Sequence, residues 1–340
     1  MPCLGEAPLD RVPDLAARAH GDLLLGSDVR WTAGAGLVDT VAGFAAAVAR
    51  HAARLVAGGV RPGDVVAVLR RNHADLQAQL YGALRAGAVP ALLPTRLNRR
   101  EILHCLALLG RPYLVLDVAG VNRLHQAEDA ARALCSGVFT LGPVDDATAA
   151  WAPPLPAAVP GTLPARVPEP RGVVLHDGRS RRPRLLPTPD LRARARALAC
   201  PRTPAGAPTR EPRPAGTGFV HLDFGTAHAC ATLLAALEQG VPLLAVVRTE
   251  QPLVDALLRE HRPVSLEAPA AALTAWLPLA AAPTRPFSSV RRFVAGSGRL
   301  DPAAVRCLLD GSSAPDAVFV QRADHAPWED RRPATKRRPG

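Results

Sequence analysis

Three side chains that could bind a metal lie close together in the sequence: His221, Asp223 and His228. Imidazole nitrogens and carboxylate oxygens are common metal ligands, but this spacing does not match an established ligand set. The surrounding residues predict a strand followed by a helix, and polar side chains at such a junction need no metal to explain them. We therefore predict no metal site.

Serine and cysteine chemistry is not indicated either. Gly296-Ser297-Gly298 places a hydroxyl between glycines, but the G-x-S-x-G turn of serine hydrolases is absent. The six cysteines are scattered without a C-x-x-C pair, which indicates reduced thiols rather than disulfides or zinc ligands. The first residues do not form a signal peptide, and no apolar run reaches the length of a membrane span. We expect a cytoplasmic protein without a membrane span.

The net charge of +11 suggests nucleic-acid binding, but the distribution of the charge weakens that hypothesis. Lys336 is the only lysine, so nearly all the positive charge is arginine, in a chain rich in alanine, proline and glycine. Basic residues concentrate at 179–184 and 331–338, where prolines make helices unfavourable. Nucleic acid is therefore not an expected partner.

Strand and helix patterns alternate in two parts of the chain, which predicts parallel sheets covered by helices. The predicted organisation is a first α/β lobe at 1–142 and a second at 218–321. A connection at 143–217, rich in proline, alanine and arginine, is predicted to be long and irregular. Residues 322–340 are predicted to form a basic, irregular tail.

Several residues predict where elements begin and end. Gly58 and Gly59 are expected to end the helix that begins near residue 41. Asn72 and Asn98 are expected to cap the next two helices, and Asp301 a later one. Pro90 restricts the strand that contains it to a sheet edge or to a strand start.

Five segments, in order, resemble the AMP-forming acyl-CoA synthetases of the adenylate-forming superfamily. Residues 59–68 resemble the family's G-V-x-x-G-D-x-V-A-V stretch, and residues 82–90 resemble G-x-x-x-A-G-A-V-P. Residues 96–102, 233–240 and 290–300 follow in the family's order. The resemblance implies the N-terminal α/β domain of these enzymes, with two layered, mostly parallel sheets wrapped by helices. It also implies that His228 and the turn 296–298 (Gly296, Ser297 and Gly298) shape the adenine and acyl pocket.

The family's phosphate loop, S/T-S-G-T-T-G-x-P-K, corresponds to residues 176–184. Gly178, Ser180 and Pro183 match it, and Arg184 carries positive charge where the family has lysine. Asp177, Arg179 and Arg181 depart from it. These changes disfavour phosphate binding, because an anion repels phosphates and bulky side chains hinder the close approach of the backbone. Two interpretations stay open: a degenerate ATP loop, which we favour, and an arginine-rich surface turn.

The family's Y-G-x-T-E motif, whose threonine contacts phosphate and whose glutamate helps to hold Mg²⁺, is expected after the strand at 317–321. Residues 322–330 read Arg-Ala-Asp-His-Ala-Pro-Trp-Glu-Asp instead. The C-terminal lid domain and its catalytic lysine are also expected to be absent, so the domain is predicted to be incomplete. A frameshift or early stop, and a natural basic tail, both remain as explanations.

The family joins a carboxylic acid to the thiol of coenzyme A or of a carrier protein. ATP is converted to AMP and pyrophosphate through an acyl-adenylate, with Mg²⁺ as cofactor, and fatty acid metabolism is one setting. The resemblance implies this ligase chemistry, but the altered motifs predict little or no activity here and put ATP, AMP and Mg²⁺ binding in doubt. The alternative is a non-catalytic protein that binds a nucleotide, an acyl group or a partner on the same scaffold.

Overall fold

The computed structural model describes residues 4–30, 38–158, 171–177, 181–199 and 216–322. The strands of these residues are β1 (Leu25–Ser27), β2 (Val65–Arg70), β3 (Val89–Pro94), β4 (Tyr113–Leu116), β5 (Gly137–Thr140), β6 (Gly172–Asp177), β7 (Arg182–Pro187), β8 (Gly218–Val220), β9 (Leu243–Ala245), β10 (Ser265–Ala268), β11 (Arg292–Ala295) and β12 (Val318–Gln321). The α-helices are α1 (Val12–His20), α2 (Val41–Ala57), α3 (Leu76–Arg85), α4 (Arg99–Leu108), α5 (Val118–Leu124), α6 (Glu128–Leu134), α7 (Asp146–Trp151), α8 (Thr188–Ala199), α9 (Ala227–Gln239), α10 (Gln251–His261), α11 (Ala270–Ala275), α12 (Leu277–Ala280) and α13 (Pro302–Asp310).

The strands form two six-stranded sheets, which confirms the predicted fold class. The first sheet has the order β5-β4-β2-β3-β6-β7 and is parallel except for the β6–β7 pair. The second sheet has the order β1-β9-β8-β10-β11-β12 and is parallel throughout. Parallel sheets of this kind place the loops that follow the strands along one edge of each sheet, which is where ligands bind in open α/β folds.

The cores explain why the strands are apolar on both faces. Successive side chains of a strand point to opposite faces. Val66 and Val68 therefore join the core between the two sheets, which α2, α3 and α9 also fill. Ala67 and Leu69 face the opposite way and join the core beneath α4 and α6. A third core, beneath α10, α11 and α13, covers the outer face of the second sheet around Trp276.

The predicted element boundaries hold at most of the capped helices. Asn98 accepts the N–H of Glu101, whose side chain accepts the N–H of Asn98, so α4 begins with a full capping box. Asp301 accepts the N–H of Ala304 at the start of α13. Pro90 is the second residue of β3, a strand inside the first sheet, so it satisfies the strand-start alternative.

The prediction of an irregular connection at 143–217 is wrong for its described part. This part contains α7, the β6–β7 hairpin and α8, and the hairpin extends the first sheet beyond β3. The apolar run 172–175 is buried and pairs with β3 through Ala91 and Leu92. The sequence pattern does not reveal these elements, because they lie among many prolines and arginines, a composition that is typical of a linker.

Helix α8 is held in place by one buried arginine. Arg192 donates to the carbonyl oxygens of Gly5 and Ala7 and forms a 2.8 Å ion pair with Glu238 of α9. Burial raises the pKa of Glu238, and the charge of Arg192 opposes that rise. The contact ties the N-terminal residues, α8 and α9 together.

Helices α2 and α3 pack so closely that glycine is required at their crossing. A Cβ atom on Gly82 would lie 2.7 Å from Cβ of His51 and 3.3 Å from the backbone of α2. Overpacking of this kind costs about 1–3 kcal/mol, while alanine gains about 1 kcal/mol over glycine within a helix. Gly82→Ala is therefore expected to lower the free energy of unfolding by up to about 2 kcal/mol, measured by urea denaturation.

Gly142 provides the matched control for that substitution. Nothing lies within 4 Å of a Cβ atom at Gly142, and its φ is not in the left-handed region. Gly142→Ala is expected to leave stability unchanged or to raise it by about 0.5 kcal/mol. Equal effects of the two substitutions would contradict the close packing of α2 against α3.

No helix among the described residues has the length and apolar character needed to cross a bilayer.

Candidate functional site

Three charged or titratable side chains converge where strands of the second sheet end: His228, Glu267 and Arg322. We refer to them as the His–Glu–Arg cluster. His228 lies in the first turn of α9, Glu267 lies in β10, and Arg322 directly follows β12. Their side chains are 31%, 7% and 23% exposed, respectively, so the cluster is mostly shielded from water and opens to it on one side.

Short contacts link the three groups. Nε2 of His228 lies 2.6 Å from Oε1 of Glu267, and Nη1 of Arg322 lies 3.2 Å from the same oxygen. Nη1 is also 2.8 Å and 2.6 Å from the two ring nitrogens of His228, so it sits over the ring rather than in line with one lone pair. Burial lowers the pKa of Arg322, and Glu267 opposes that change. The guanidinium nevertheless stays charged, because arginine is not deprotonated in proteins.

The predicted turn 296–298 borders this cluster. A Cβ atom built on Gly296 would lie 3.7 Å from Oε1 of Glu267 and 4.0 Å from Cδ2 of Leu222, which is ordinary contact distance. Ser297 accepts the N–H of Ala270 through its backbone oxygen, at 2.7 Å. Gly298 has φ of +73°, a conformation that favours glycine, and its oxygen accepts from the Gln321 side chain. His228 and Gly296 therefore both lie beside Glu267.

Residues of α3 and of the loops after β2 and β3 hold the loop that leads into α9. Asn72 donates to the oxygen of Leu222 at 2.7 Å and accepts the N–H of Phe224 at 2.8 Å. Gln77 donates to the oxygen of Phe224 at 2.6 Å, and Arg96 forms a 3.0 Å ion pair with Asp223. Because this loop precedes His228, these contacts position the helix that carries it.

The prediction that Asn72 caps a helix is therefore wrong. Helix α3 begins at Leu76, and Asn72 lies four residues before it. An asparagine side chain satisfies a backbone N–H and a backbone oxygen at once, and here both belong to the loop after β8. Local sequence favours a cap at this position, but the long-range contact uses both hydrogen-bonding groups.

The residues proposed for the phosphate loop lie in and around the β6–β7 hairpin of the first sheet. Pro183 and Arg184 are part of β7, opposite His176 and Leu175 of β6. Gly178 and Ser180 lie outside the described residues. At the end of the hairpin, Arg181 lies 3.3 Å from Glu101 in the first turn of α4.

The three side chains considered as metal ligands have separate partners. Nδ1 of His221 lies 2.9 Å from the oxygen of Val246, and its ring meets Trp276 edge-on. Asp223 pairs with Arg96, while His228 faces Glu267. Among the described residues, no group of three or more histidine, cysteine or acidic side chains is arranged to hold a metal ion.

A small apolar cavity lies between the second sheet and helices α2, α3 and α9. Its volume is about 20 Å³, and its lining includes Phe44, Leu222 and Phe224. Two buried oxygens among the lining residues, Oε1 of Gln77 and Oγ1 of Thr232, have no hydrogen-bond partner in the described part of the chain. A cavity of this size holds roughly one water molecule.

Two members of the cluster were not predicted from the sequence. Glu267 lies between the buried residues Leu266 and Ala268 of β10, and a nearly buried carboxylate inside a strand is unusual unless it has a partner. That position could have been recognised as a candidate. Arg322 was assigned to an irregular tail, and its contact with Glu267 spans 55 positions of the sequence, which no local pattern reveals.

Comparisons with known proteins agree with this architecture. The model of the family described as AMP-binding enzyme matches residues 39–172. The chain is 30% identical over 302 residues to a 3-amino-2-hydroxy-4-methoxybenzoate diazotase from Streptomyces cremeus, covering 79% of this chain and 52% of that protein. The chain therefore spans about half the length of this curated relative.

Solved structures share the fold at low sequence identity. A long-chain-fatty-acid-CoA ligase from Archaeoglobus fulgidus superposes with a TM-score of 0.73 at 16% identity, covering 93% of this chain and 63% of that one. An O-succinylbenzoate coenzyme A synthetase from Bacillus subtilis, solved with AMP, gives 0.67 at 17% identity, covering 90% and 71%. Residues 39–172 therefore match the AMP-binding enzyme family, and the described residues have the α/β fold of the N-terminal domain of adenylate-forming enzymes.

Proposed function

We propose that this protein binds a small carboxylic acid and an adenine nucleotide at the edge of the second sheet. We further propose that it catalyses the acid–thiol ligase reaction of the acyl-CoA synthetases weakly or not at all. One observation carries the second part. Arg322 follows β12, where the family resemblance implies Y-G-x-T-E, and its guanidinium contacts Glu267 and His228 instead.

The residues of the cluster do not suit Mg²⁺. Magnesium binds through oxygen ligands in nearly octahedral geometry, usually one or two carboxylates together with phosphate oxygens and water. Oε1 of Glu267 already contacts the guanidinium of Arg322 and the imidazole of His228. Positive charge at 3.2 Å from this oxygen opposes the approach of a dication. We therefore derive no metal-dependent step from these residues.

An aromatic acid is the substrate class that we propose. The Streptomyces cremeus relative is named for a substituted benzoate, and one of the solved relatives is named for O-succinylbenzoate. The Streptomyces cremeus protein is 30% identical to this chain, whereas the long-chain-fatty-acid-CoA ligase from Archaeoglobus fulgidus is 16% identical. The higher identity supports an aromatic acid, with coenzyme A or a carrier-protein thiol as the acceptor in active relatives.

Pyrophosphate release tests the catalytic part of the proposal. With ATP, Mg²⁺, coenzyme A and a panel of aryl and fatty acids, we expect release no faster than in a control without protein. The physical reason is that each lost electrostatic contact to the reacting phosphates costs about a hundredfold or more in rate. Acid-dependent pyrophosphate release above the control would overturn the assignment of low activity.

Calorimetric titration with AMP and ATP tests the binding part. Saturable AMP binding is expected, since a retained nucleotide site does not require the contacts that accelerate the reaction. Absence of binding by AMP, ATP and every acid in the panel would contradict the proposal. A non-catalytic interaction protein on the same scaffold remains the alternative, and it predicts a protein partner without any small-molecule binding.

A further inference from the structure

We propose that Arg322 is the residue that binds the carboxylate of the acid, through the edge of its guanidinium formed by Nε and Nη2. This inference rests on the proposed function and names the residue that recognises the acid. Nη1 of Arg322 faces Glu267 and His228, and the backbone N–H of Arg322 donates to the oxygen of Ala295 at 3.1 Å.

The edge of the guanidinium formed by Nε and Nη2 is the one that we assign to the ligand. Within the described part of the chain, Nε and Nη2 of Arg322 form no hydrogen bond or ion pair. The side chain is 23% exposed, so it is largely removed from water and yet accessible. A guanidinium edge offers two parallel N–H groups, and a carboxylate accepts both in a bidentate pair.

Gly296 supplies room for the rest of the acid. A carbon atom placed where its Cβ would be lies 3.7 Å from Oε1 of Glu267, 3.8 Å from the oxygen of Ala268 and 4.0 Å from Cδ2 of Leu222. These are ordinary van der Waals distances, so no neighbouring atom crowds the side of Gly296 on which a side chain would stand. A planar ring lying over a glycine can approach the backbone closely.

Arg322 and Glu267 form an ion pair through Nη1 of the guanidinium. An anion at the edge formed by Nε and Nη2 pairs directly with the guanidinium, while Glu267 contacts the opposite Nη1, so attraction exceeds repulsion. The two oxygens of a carboxylate match the two parallel N–H groups of this edge. The phosphate of AMP is the competing anion, and titrations with both ligands separate the two.

The test compares benzoate with benzamide, its uncharged analogue of similar shape, by calorimetric titration. We expect benzoate to bind the unmodified protein about tenfold or more tightly than benzamide does. Arg322→Ala is expected to remove that preference, and Arg322→Lys to restore only part of it, because lysine cannot form the bidentate pair. Arg306→Ala, which removes an exposed arginine on α13, is the matched control and should leave the preference unchanged.

Each outcome bears on the proposal. Equal binding of benzoate and benzamide by the unmodified protein would overturn it, and so would a benzoate preference that survives in a folded Arg322→Ala variant. If Arg322→Ala weakens AMP but not benzoate, the phosphate is the partner and the carboxylate assignment is wrong. Thermal melting checks that each variant is folded. If the unmodified protein does not bind AMP, the proposed nucleotide site is wrong. The comparison of benzoate with benzamide would still decide whether Arg322 binds the carboxylate.

Discussion

Replacing Asp75 with alanine is expected to lower the free energy of unfolding by about 3–5 kcal/mol. Asp75 and Arg70 form a salt bridge in which both side chains are at most 1% exposed. The carboxylate also lies 2.8 Å from Nδ1 of His73 and accepts a 3.4 Å bond from Gln79. Without Asp75, the buried Arg70 guanidinium loses this carboxylate, which no longer offsets the desolvation of its charge. Urea denaturation of the purified variant measures the effect.

A double substitution separates the loss of a partner from the loss of packing. Arg70→Met combined with Asp75→Ala removes both charges, so most of the lost stability should return, because an apolar pair carries no desolvation penalty. Asp316→Ala removes a carboxylate from an exposed position and should change stability by no more than about 0.5 kcal/mol. A loss below about 1 kcal/mol for Asp75→Ala would contradict the burial of this salt bridge.

The same salt bridge lies next to the contacts that position the candidate site. Arg70 ends β2, and Asp75 immediately precedes α3, so the pair fixes the loop that contains Asn72. Asn72 in turn holds the loop from Leu222 to Phe224, which precedes α9 and His228. Asn72 is therefore one link between the stability of the first sheet and the geometry of the second. We expect Asp75→Ala to weaken ligand binding beyond what global stability alone predicts.

The sequence alone predicts those elements whose signals are local. Asn98 and Glu101 form a capping box whose members are three residues apart, and Asp301 caps α13 in the same way. Gly59 and Gly240 have φ of +90° and +64°, so their positions after helices follow from backbone sterics. Periodicity, caps and glycines act within a few residues, which is why sequence patterns identify them.

Signals that depend on distant residues were missed. The β6–β7 hairpin is stabilised by pairing with β3, about 80 residues earlier, and its own composition resembles a linker. Asn72 is a residue type that often caps helices, yet its hydrogen-bond partners lie about 150 positions later in the sequence. In the site, His228 and Gly296 were predicted from resemblance, whereas Glu267 and Arg322 become recognisable only when strands bring them together.

Acidification is the second change expected to have a large effect, through His51. Burial lowers the pKa of this histidine from 6.5 to about 4; the charge of Asp75 opposes that shift, and nearby arginines add to it. The folded protein therefore keeps His51 neutral in a range where the unfolded chain takes up a proton. Stability from this residue is complete above pH 6.5 and is lost as the pH falls from 6.5 towards 4. The loss amounts to about 3 kcal/mol at pH 4.

Comparison of the free energy of unfolding between the unmodified protein and His51→Leu at several pH values isolates this contribution. Other titrating groups cancel in the difference. Nε2 of His51 has no hydrogen-bond partner among the described residues, so an apolar side chain of similar size is tolerated at pH 7. On going from pH 7 to pH 4, the unmodified protein should lose about 3 kcal/mol relative to the variant. His104→Leu, at an exposed position of α4, should show no such divergence, and parallel curves for His51→Leu would mean that His51 is protonated in the folded state.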